Sequence, residues 1–274
     1  MTPRYFEPGN LNYHGVMVWD KPTGDPGPNV SLIPYVASRA SRNFIAGTPA
    51  ASDVQAGGDA KVAVTPSLNL DLTVNPDFSQ VEVDQQVTNL ERFEIFFPER
   101  RQFFLENADL FSSYGHLSAR PFFSRRIGVT RDPKTGQNVQ NRILFGARLS
   151  GNLNKYYRIG ILNMQTGKLS ENGIPSYNYT VGTLQRRLGR NSNLRGIFVN
   201  RQEFTEPGKD FKLSGYNYNR VVGLDYNFRF QGNRWTGNAY THKLITPNKA
   251  SGQFSSGYSL VLDRKSTRLN SSHG

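Results

Sequence analysis

The chain of 274 residues has no cysteine, 3 methionines and 2 tryptophans. None of its apolar runs approaches the ~20 residues that a membrane-crossing helix needs. Lack of cysteine excludes a disulfide framework and thiolate metal centres. Charge of one sign is never concentrated either. The net charge of +12 comes from basic residues scattered one or two at a time, a pattern that describes a solvated surface better than a nucleic-acid groove, so no nucleic-acid partner is expected. Histidine is scarce: outside the last residues only His14, His116 and His242 occur, far apart and without HExxH-type spacing. They are read as solvated or interfacial. No GxSxG or phosphate-binding loop appears. Asp71, Asn75, Asp77, Glu82 and Asp84 lack the glycine-centred loop and closing Glu of a calcium site, and read as strand-end and turn residues. No catalytic residue, metal or cofactor is expected. The N-terminus, MTPRYFEPGNLNYHG, also lacks the basic-then-apolar profile of a secretory signal.

What the chain does have is 13 Tyr, 18 Phe and 26 Gly, a composition that favours strands and tight turns. In VVGLDYNFRF, Val222, Leu224, Tyr226, Phe228 and Phe230 alternate with Gly223, Asp225, Asn227 and Arg229. Leu68, Leu70, Leu72 and Val74 alternate in the same way with Ser67, Asn69, Asp71 and Thr73. A further strand is read at 32–39 between loops rich in Gly and Pro. From residue 142 the runs become regular: 142–150, 155–164, 177–188, 194–204, 219–230 and 234–245, with a seventh beginning near 256. Short turns alternate with longer loops, as in an up-and-down barrel.

The faces sort in most runs. Ile143, Phe145, Ala147 and Leu149 oppose Arg142, Gly146 and Arg148. Tyr157, Ile159 and Ile161 oppose Arg158 and Gly160, and Tyr177, Tyr179 and Val181 oppose Asn178, Thr180 and Gly182. In LRGIFVNRQ, Arg195 and Arg201 share a face with Ile197 and Val199 instead. The expected fold is all-β: an antiparallel up-and-down outer-membrane-type β-barrel, truncated. Arg142, Arg148, Arg158, Arg186, Asp225, Asn227 and Arg229 are expected to face its lumen, and mid-strand Gly146, Gly160, Gly182 and Gly223 suit inward crowding. A basic lumen favours anions, so a small anionic solute is one expected partner and outer-membrane lipid another.

Residues 78–130 break the pattern. FEIFFPERRQFFLENADLF gathers Phe96, Phe97, Glu99, Arg100, Arg101, Phe103, Phe104 and Glu106, and Pro98 rules out a long helix. An irregular, partly helical segment is expected, returning to extended chain at 121–128. It is read either as a plug inside or across a barrel mouth, or as a cap or surface cluster. Glu99 and Glu106 could suggest glycoside hydrolysis, but the neighbouring arginines point to ion pairing.

LDLTVNPDFSQVEVDQQVTNLERFEIFFPERRQFFLENADLF, followed by PFFSRRIG, GARLSG and LNMQTG, resembles a family of unassigned function in Gram-negative bacteria. Its members place this domain after a signal peptide and a periplasmic module resembling family 9 carbohydrate-binding domains. The resemblance implies an outer-membrane β-barrel and outer-membrane location, and supplies no catalytic or binding residue. The division expected is 1–58 loop-rich, 59–130 strands with the plug or cap, and 131–262 a meander of barrel strands. Asp263–His273 resembles a translated sequencing adapter, which predicts an artefactual tail over 263–274, a fragmentary gene and a lost signal peptide. The function expected is non-enzymatic: passage or surface handling of a solute, with a glycan connection. The alternatives are a soluble β-sandwich carbohydrate-binding module and, more distantly, a glycoside hydrolase.

Overall fold

The computed structural model describes residues 20, 29–42, 50–76, 99–116, 119–136, 138–189, 191–204, 218–230, 235–247 and 252–262. Ten strands form one antiparallel sheet in sequential order. They are β1 (Val30–Ser41), β2 (Ala51–Thr65), β3 (Leu68–Val74), β6 (Ile143–Asn152), β7 (Tyr157–Thr166), β8 (Ser176–Leu188), β9 (Ser192–Phe204), β10 (Tyr218–Phe230), β11 (Trp235–Ile245) and β12 (Phe254–Leu262). Between β3 and β6 lie two four-residue helices, α1 (Gln102–Leu105) and α2 (Asp109–Ser112), a single 3-10 turn at Ser124–Arg126, and a hairpin of β4 (Val129–Arg131) with β5 (Asn138–Gln140). β1 and β12 each pair on one side only, so the sheet does not close on itself among the described residues. No described helix is long and apolar enough to cross a membrane, which says nothing of strands.

Local chemistry sets the turns. Asn154 Oδ1 accepts the backbone N–H of Tyr156 (2.8 Å) and of Tyr157 (3.0 Å), closing the β6–β7 turn. Gly189 takes φ +65° in the β8–β9 turn, where a side chain would be strained. These turns and the β2–β3 turn lie at one end of the sheet, the short-turn end. The β3–β6, β7–β8, β9–β10 and β11–β12 connections are longer and lie at the other, the long-loop end.

Several expectations shift. β2 runs straight through the boundary expected at residue 58 and includes a stretch read as loop. Its Gly57 faces Tyr35, and a Cβ there would come 2.6 Å from the Tyr35 hydroxyl, so the glycine serves strand packing rather than a turn. Residues 121–128 are not continuously extended, since the 3-10 turn at Ser124–Arg126 interrupts them. The sheet also continues across residue 130, joining β3 directly to β6.

Registers define two faces. One carries Asp71, Arg148, Leu162, Val181, Val199 and Val221 in adjacent strands. The segment of residues 99–128 lies on this covered face. Phe103, Phe104, Leu110, Phe111, Tyr114, Phe122 and Ile127 pack there against Ile143, Leu162, Met164, Val181 and Ile197, with Tyr179 and Val199 alongside. The other face is bare. Leu32, Val36, Val54, Leu72, Val74, Phe145, Ile161, Leu184, Phe198, Val222, Leu224, Phe230, Phe254, Tyr258 and Leu260 project from it, all exposed. Such side chains come from every strand of the sheet but β11, and an apolar surface that wide is unusual on a soluble monomer.

Two face assignments read from the alternation are corrected. A register shift between Ile143 and Phe145 turns Ile143 onto the covered face, away from Phe145 and Leu149. Tyr177, Tyr179 and Val181 also lie on the covered face, because the folded segment gives apolar side chains somewhere to pack there; Asn178, Thr180 and Gly182 lie on the bare one.

A candidate functional site on the covered face

The segment of residues 99–128 is organised around Arg101. Its Nε and NH2 donate to the two oxygens of Glu99 (2.9 and 2.8 Å). NH1 donates to the Ile127 carbonyl (2.8 Å) and NH2 also to the Ser124 carbonyl (2.7 Å). The guanidinium lies 4.2 Å from the Phe104 ring centroid. A buried arginine is tolerated because its donors meet acceptors and a carboxylate supplies the countercharge. The Ile127 N–H also donates to the Ser124 carbonyl (2.9 Å), closing the turn that interrupts 121–128. Burial pushes the Glu99 carboxyl up, but the Arg101 hydrogen bonds and charge and the Ser124 hydroxyl (2.6 Å) outweigh it and hold the group below the usual carboxylate range.

Polar ties fasten the segment to the sheet. Arg148, 2% exposed, donates NH2 and Nε to Asp71 Oδ2 (2.7 and 3.1 Å) and NH1 to the Glu106 carbonyl (2.7 Å), beneath the Phe103 ring. Glu106 pairs with Lys61 and accepts from Asn69 Nδ2 (2.8 Å). The Lys61 hydrogen bond holds its carboxyl low against a smaller burial effect. Asn107 donates to Ser150 (3.2 Å) and Arg158 pairs with Asp109 (2.6 Å). Gly160 lets α2 approach closely: a Cβ there would lie 2.7 Å from the Phe111 ring.

At the far end of the segment a buried cluster joins β9, β10 and β11. Asp225, 1% exposed, accepts from the Gly115 backbone N–H (2.7 Å), bonds His242 Nε2 (2.7 Å) and pairs with Arg195 (3.6 Å). Gly115 sits at φ +68°, and a Cβ would meet the His242 ring and the Ala119 carbonyl. The Tyr114 hydroxyl donates to the Gly196 carbonyl (3.1 Å), and the Arg195 guanidinium lies 4.8 Å from the Tyr114 ring centroid. Burial is the main reason the Tyr114 phenol is pushed up to about 12.

Beside this cluster opens a cavity of about 580 Å³ between the segment and β9–β11. Ser113, Asn191, Asn193, Arg195, Asn227, Arg229, Thr236 and Asn238 supply its polar lining. With its amide oxygen turned to the guanidinium, Asn227 accepts from Arg195 Nε (3.0 Å) and NH2 (2.9 Å).

Among the residues expected to line a lumen, Arg148, Arg158, Asp225, Asn227 and Arg229 share the covered face. Arg186 does not: its register with Tyr157 and Leu194 turns it to the bare face, its guanidinium 5.7 Å from the Tyr157 ring centroid. Arg142 precedes β6, exposed, and donates to Asn75 Oδ1 (2.6 Å). In the expected plug or cap cluster, Phe96 and Phe97 lie outside the described residues. Arg100 is exposed with its backbone N–H on Glu99, while Glu99, Arg101, Phe103, Phe104 and Glu106 take part as above. Glu106 finds its cation in the sheet, at Lys61, rather than among the nearby arginines. The sequence reading did not single out Lys61 or Tyr114, and it assigned no pairing to Asp71, Arg195 or His242. His242 is buried beside Asp225 rather than solvated, and Asp71 is the buried partner of Arg148 rather than a turn residue. Placement of Asp71 among the alternating polar positions of β3 was the available signal. Among the described residues no three His, Asp or Glu side chains gather as metal ligands would.

Residues 27–202 match a family described as a domain of unknown function, DUF5916. No curated protein matches the chain. A solved structure it resembles is OmpT, an outer membrane protein of Vibrio cholerae folded in vitro, in its trimer form. The identity is 9%, the match covers 86% of this chain and 94% of that one, and the TM-score is 0.29. A superposition that loose carries no argument about the chain's activity.

Proposed function

We propose that this chain, which belongs to the DUF5916 family, forms wall strands of an outer-membrane β-barrel whose lumen is narrowed by the segment of residues 99–128, and that it passes or handles a solute without transforming it. One observation carries the reading: nine of the ten strands expose large apolar side chains on the bare face, while the opposite face carries the sheet's buried polar and charged side chains and packs a folded segment. In water the bare face is a large cost; in hydrocarbon it is the favourable solvent match, provided every strand edge is paired. The sequential antiparallel order, with short turns at one end and long connections at the other, supports the same reading. The segment of residues 99–128 belongs to a long-loop-end connection and folds inward from that end.

The solute follows from the lining. Arg148, Arg158 and Arg195 are paired with Asp71, Asp109 and Asp225, so the positive character of the passage rests on Arg229, which lines the cavity together with Arg195. With several asparagines around them, they suit a hydroxyl-rich or anionic small solute, including a glycan fragment. A non-enzymatic role is supported by Glu99 and Glu106, both held ionised by cations, which leaves neither as a protonated acid for glycoside chemistry.

The test uses the complete protein in lipid bilayers. It is expected to migrate faster on gels before boiling than after, and to conduct with anion preference. Deleting residues 92–111 is expected to raise the conductance. Recovery of the folded protein in the aqueous fraction without detergent would sink the barrel reading. An unchanged current in the deletion would remove the narrowing segment, and a reversal potential favouring cations would remove the anionic solute.

A further inference from the structure

Apart from Arg186 near the short-turn end, the bare face departs from its apolar character in one region. In the long-loop half of β7 to β10, Asn163, Gln165, Asn178, Thr180, Asn200, Gln202 and Arg220 form a contiguous polar inlay with Lys243 of β11 at its margin, the registers aligning Asn163 with Thr180, Thr180 with Asn200, and Asn200 with Arg220. Its side chains bond one another. Asn163 Nδ2 donates to Asn178 Oδ1 (3.0 Å) and Thr180 Oγ1 (2.9 Å), and Asn178 Nδ2 donates to Gln165 Oε1 (3.2 Å). Arg220 Nε donates to Asn200 Oδ1 (2.9 Å), with its guanidinium 4.4 Å from the Tyr218 ring centroid. On β11, Lys243 is next to Val222 of β10, its ammonium 5.2 Å from the Phe254 ring centroid.

We infer that this inlay is a docking site for the phosphorylated, sugar-bearing headgroup of a membrane glycolipid. The inference rests on the reading of the bare face as lipid-facing. Amide groups at this position are costly against hydrocarbon unless they are bonded. Here they are bonded to one another, in an arrangement that presents both donors and acceptors to hydroxyl groups. Arg220 is held in place by Asn200 and Tyr218, a preorganised planar donor of the kind that binds phosphate. Charge selects the occupant. Asp59, Asp71, Glu203 and Asp225, the described acidic side chains of the ten strands, all fall on the covered face by register, and neither Arg220 nor Lys243 has an acidic partner among the described residues. A second copy docked by a two-fold axis would set cation against cation, whereas a phosphorylated headgroup supplies the missing charge. The inlay's height, near the long-loop end rather than mid-strand, matches the level of headgroups.

The complete protein, wild type and R220Q/K243Q, is reconstituted in phosphatidylcholine vesicles holding a bis-phosphorylated disaccharide lipid or its dephosphorylated counterpart. Lipid retained on the purified protein is measured by native mass spectrometry. The wild type is expected to retain the phosphorylated lipid by roughly tenfold over the other, the scale of one or two charge-assisted hydrogen bonds. R220Q/K243Q should lose that preference, while R186Q, changed on the same face at the opposite end, should keep it. Equal retention of both lipids by the wild type overturns the inference, and so does an unaltered preference in R220Q/K243Q. Cross-linking of N178C between copies without retained lipid overturns it in favour of an interface between protomers. The two-lipid comparison on the wild type needs no substitution to fold. A protein that never enters the vesicles defeats the barrel reading; one that enters, shows heat-dependent migration and lacks the preference defeats only the headgroup site.

Discussion

Arg148 and Asp71 are cross-strand neighbours on the covered face, and the Glu106 carbonyl completes the coordination of the guanidinium. Substituting Arg148→Met leaves the Asp71 carboxylate buried without a countercharge, a loss expected at about 3–5 kcal/mol and read as a lowered urea midpoint in micelles. The double variant R148M/D71L is expected to recover most of it; a double variant as weak as the single one would show that the pair's charge is not the cause. The two glutamates give a pH dependence of definite sign. Their carboxyls are lowered in the fold, so their contribution is complete above the ordinary carboxylate pKa of about 4.3 and disappears as pH falls through the lower folded values. Below about pH 4 the segment of residues 99–128 is therefore expected to loosen, becoming sensitive to an acid protease while the strands stay resistant. Resistance unchanged down to pH 2 would contradict this. Asp71 and His242 show why such partners escape a reading of the chain: each is a polar residue at an ordinary strand position, and its partner lies on a neighbouring strand, or beyond a long connection in the case of Arg148.

At the scale of elements, β7 and the helix α2 meet where Gly160 faces Phe111. Gly160→Val is expected to push Phe111 out of its seat at a cost of about 1–3 kcal/mol, visible as faster proteolysis within 101–115 with little change in the strands. Gly182→Val, on the opposite face where a Cβ would meet no atom within 4 Å, serves as the comparison and should be nearly silent. Strand positions were legible because their alternation is a local property. β3 and β10 came out with the right faces, since alternate positions over 68–74 and over 222–230 are all apolar. β8 did not, because both of its sides have a reason to carry apolar atoms: one meets hydrophobic residues of the folded segment and the other belongs to the bare face. β2 was hidden by its small residues, which read as turn formers when seen alone, although one of them, Gly57, is there to admit Tyr35.

For the whole molecule, the decisive property is the difference between the two sides of one sheet. Leu224 stands mid-strand on the bare face of β10, half exposed. Leu224→Arg is expected to cost roughly 2–4 kcal/mol of folding stability in bilayers, the penalty for a charge near the midplane, while Asn219→Arg on the covered face of the same strand costs little. Equal effects at the two positions would mean that the faces see the same solvent. The overall class could be read from the chain because face polarity and connection length are both written in it. The path of residues 99–128 could not, since it depends on pairings such as Gly115 with Asp225 that link distant parts of the sequence.

Every strand of the sheet lies beside its predecessor except at one place, where β6 joins β3 after the excursion that contains α1 and α2. Assembly can therefore proceed as successive hairpins with short-range closures, fast on either side of that seam. At the seam itself the order of events matters. If the sheet closes as proposed, the excursion must tuck against the growing ribbon while its inner surface is still open, because a ribbon that curls first would shut its own filling outside.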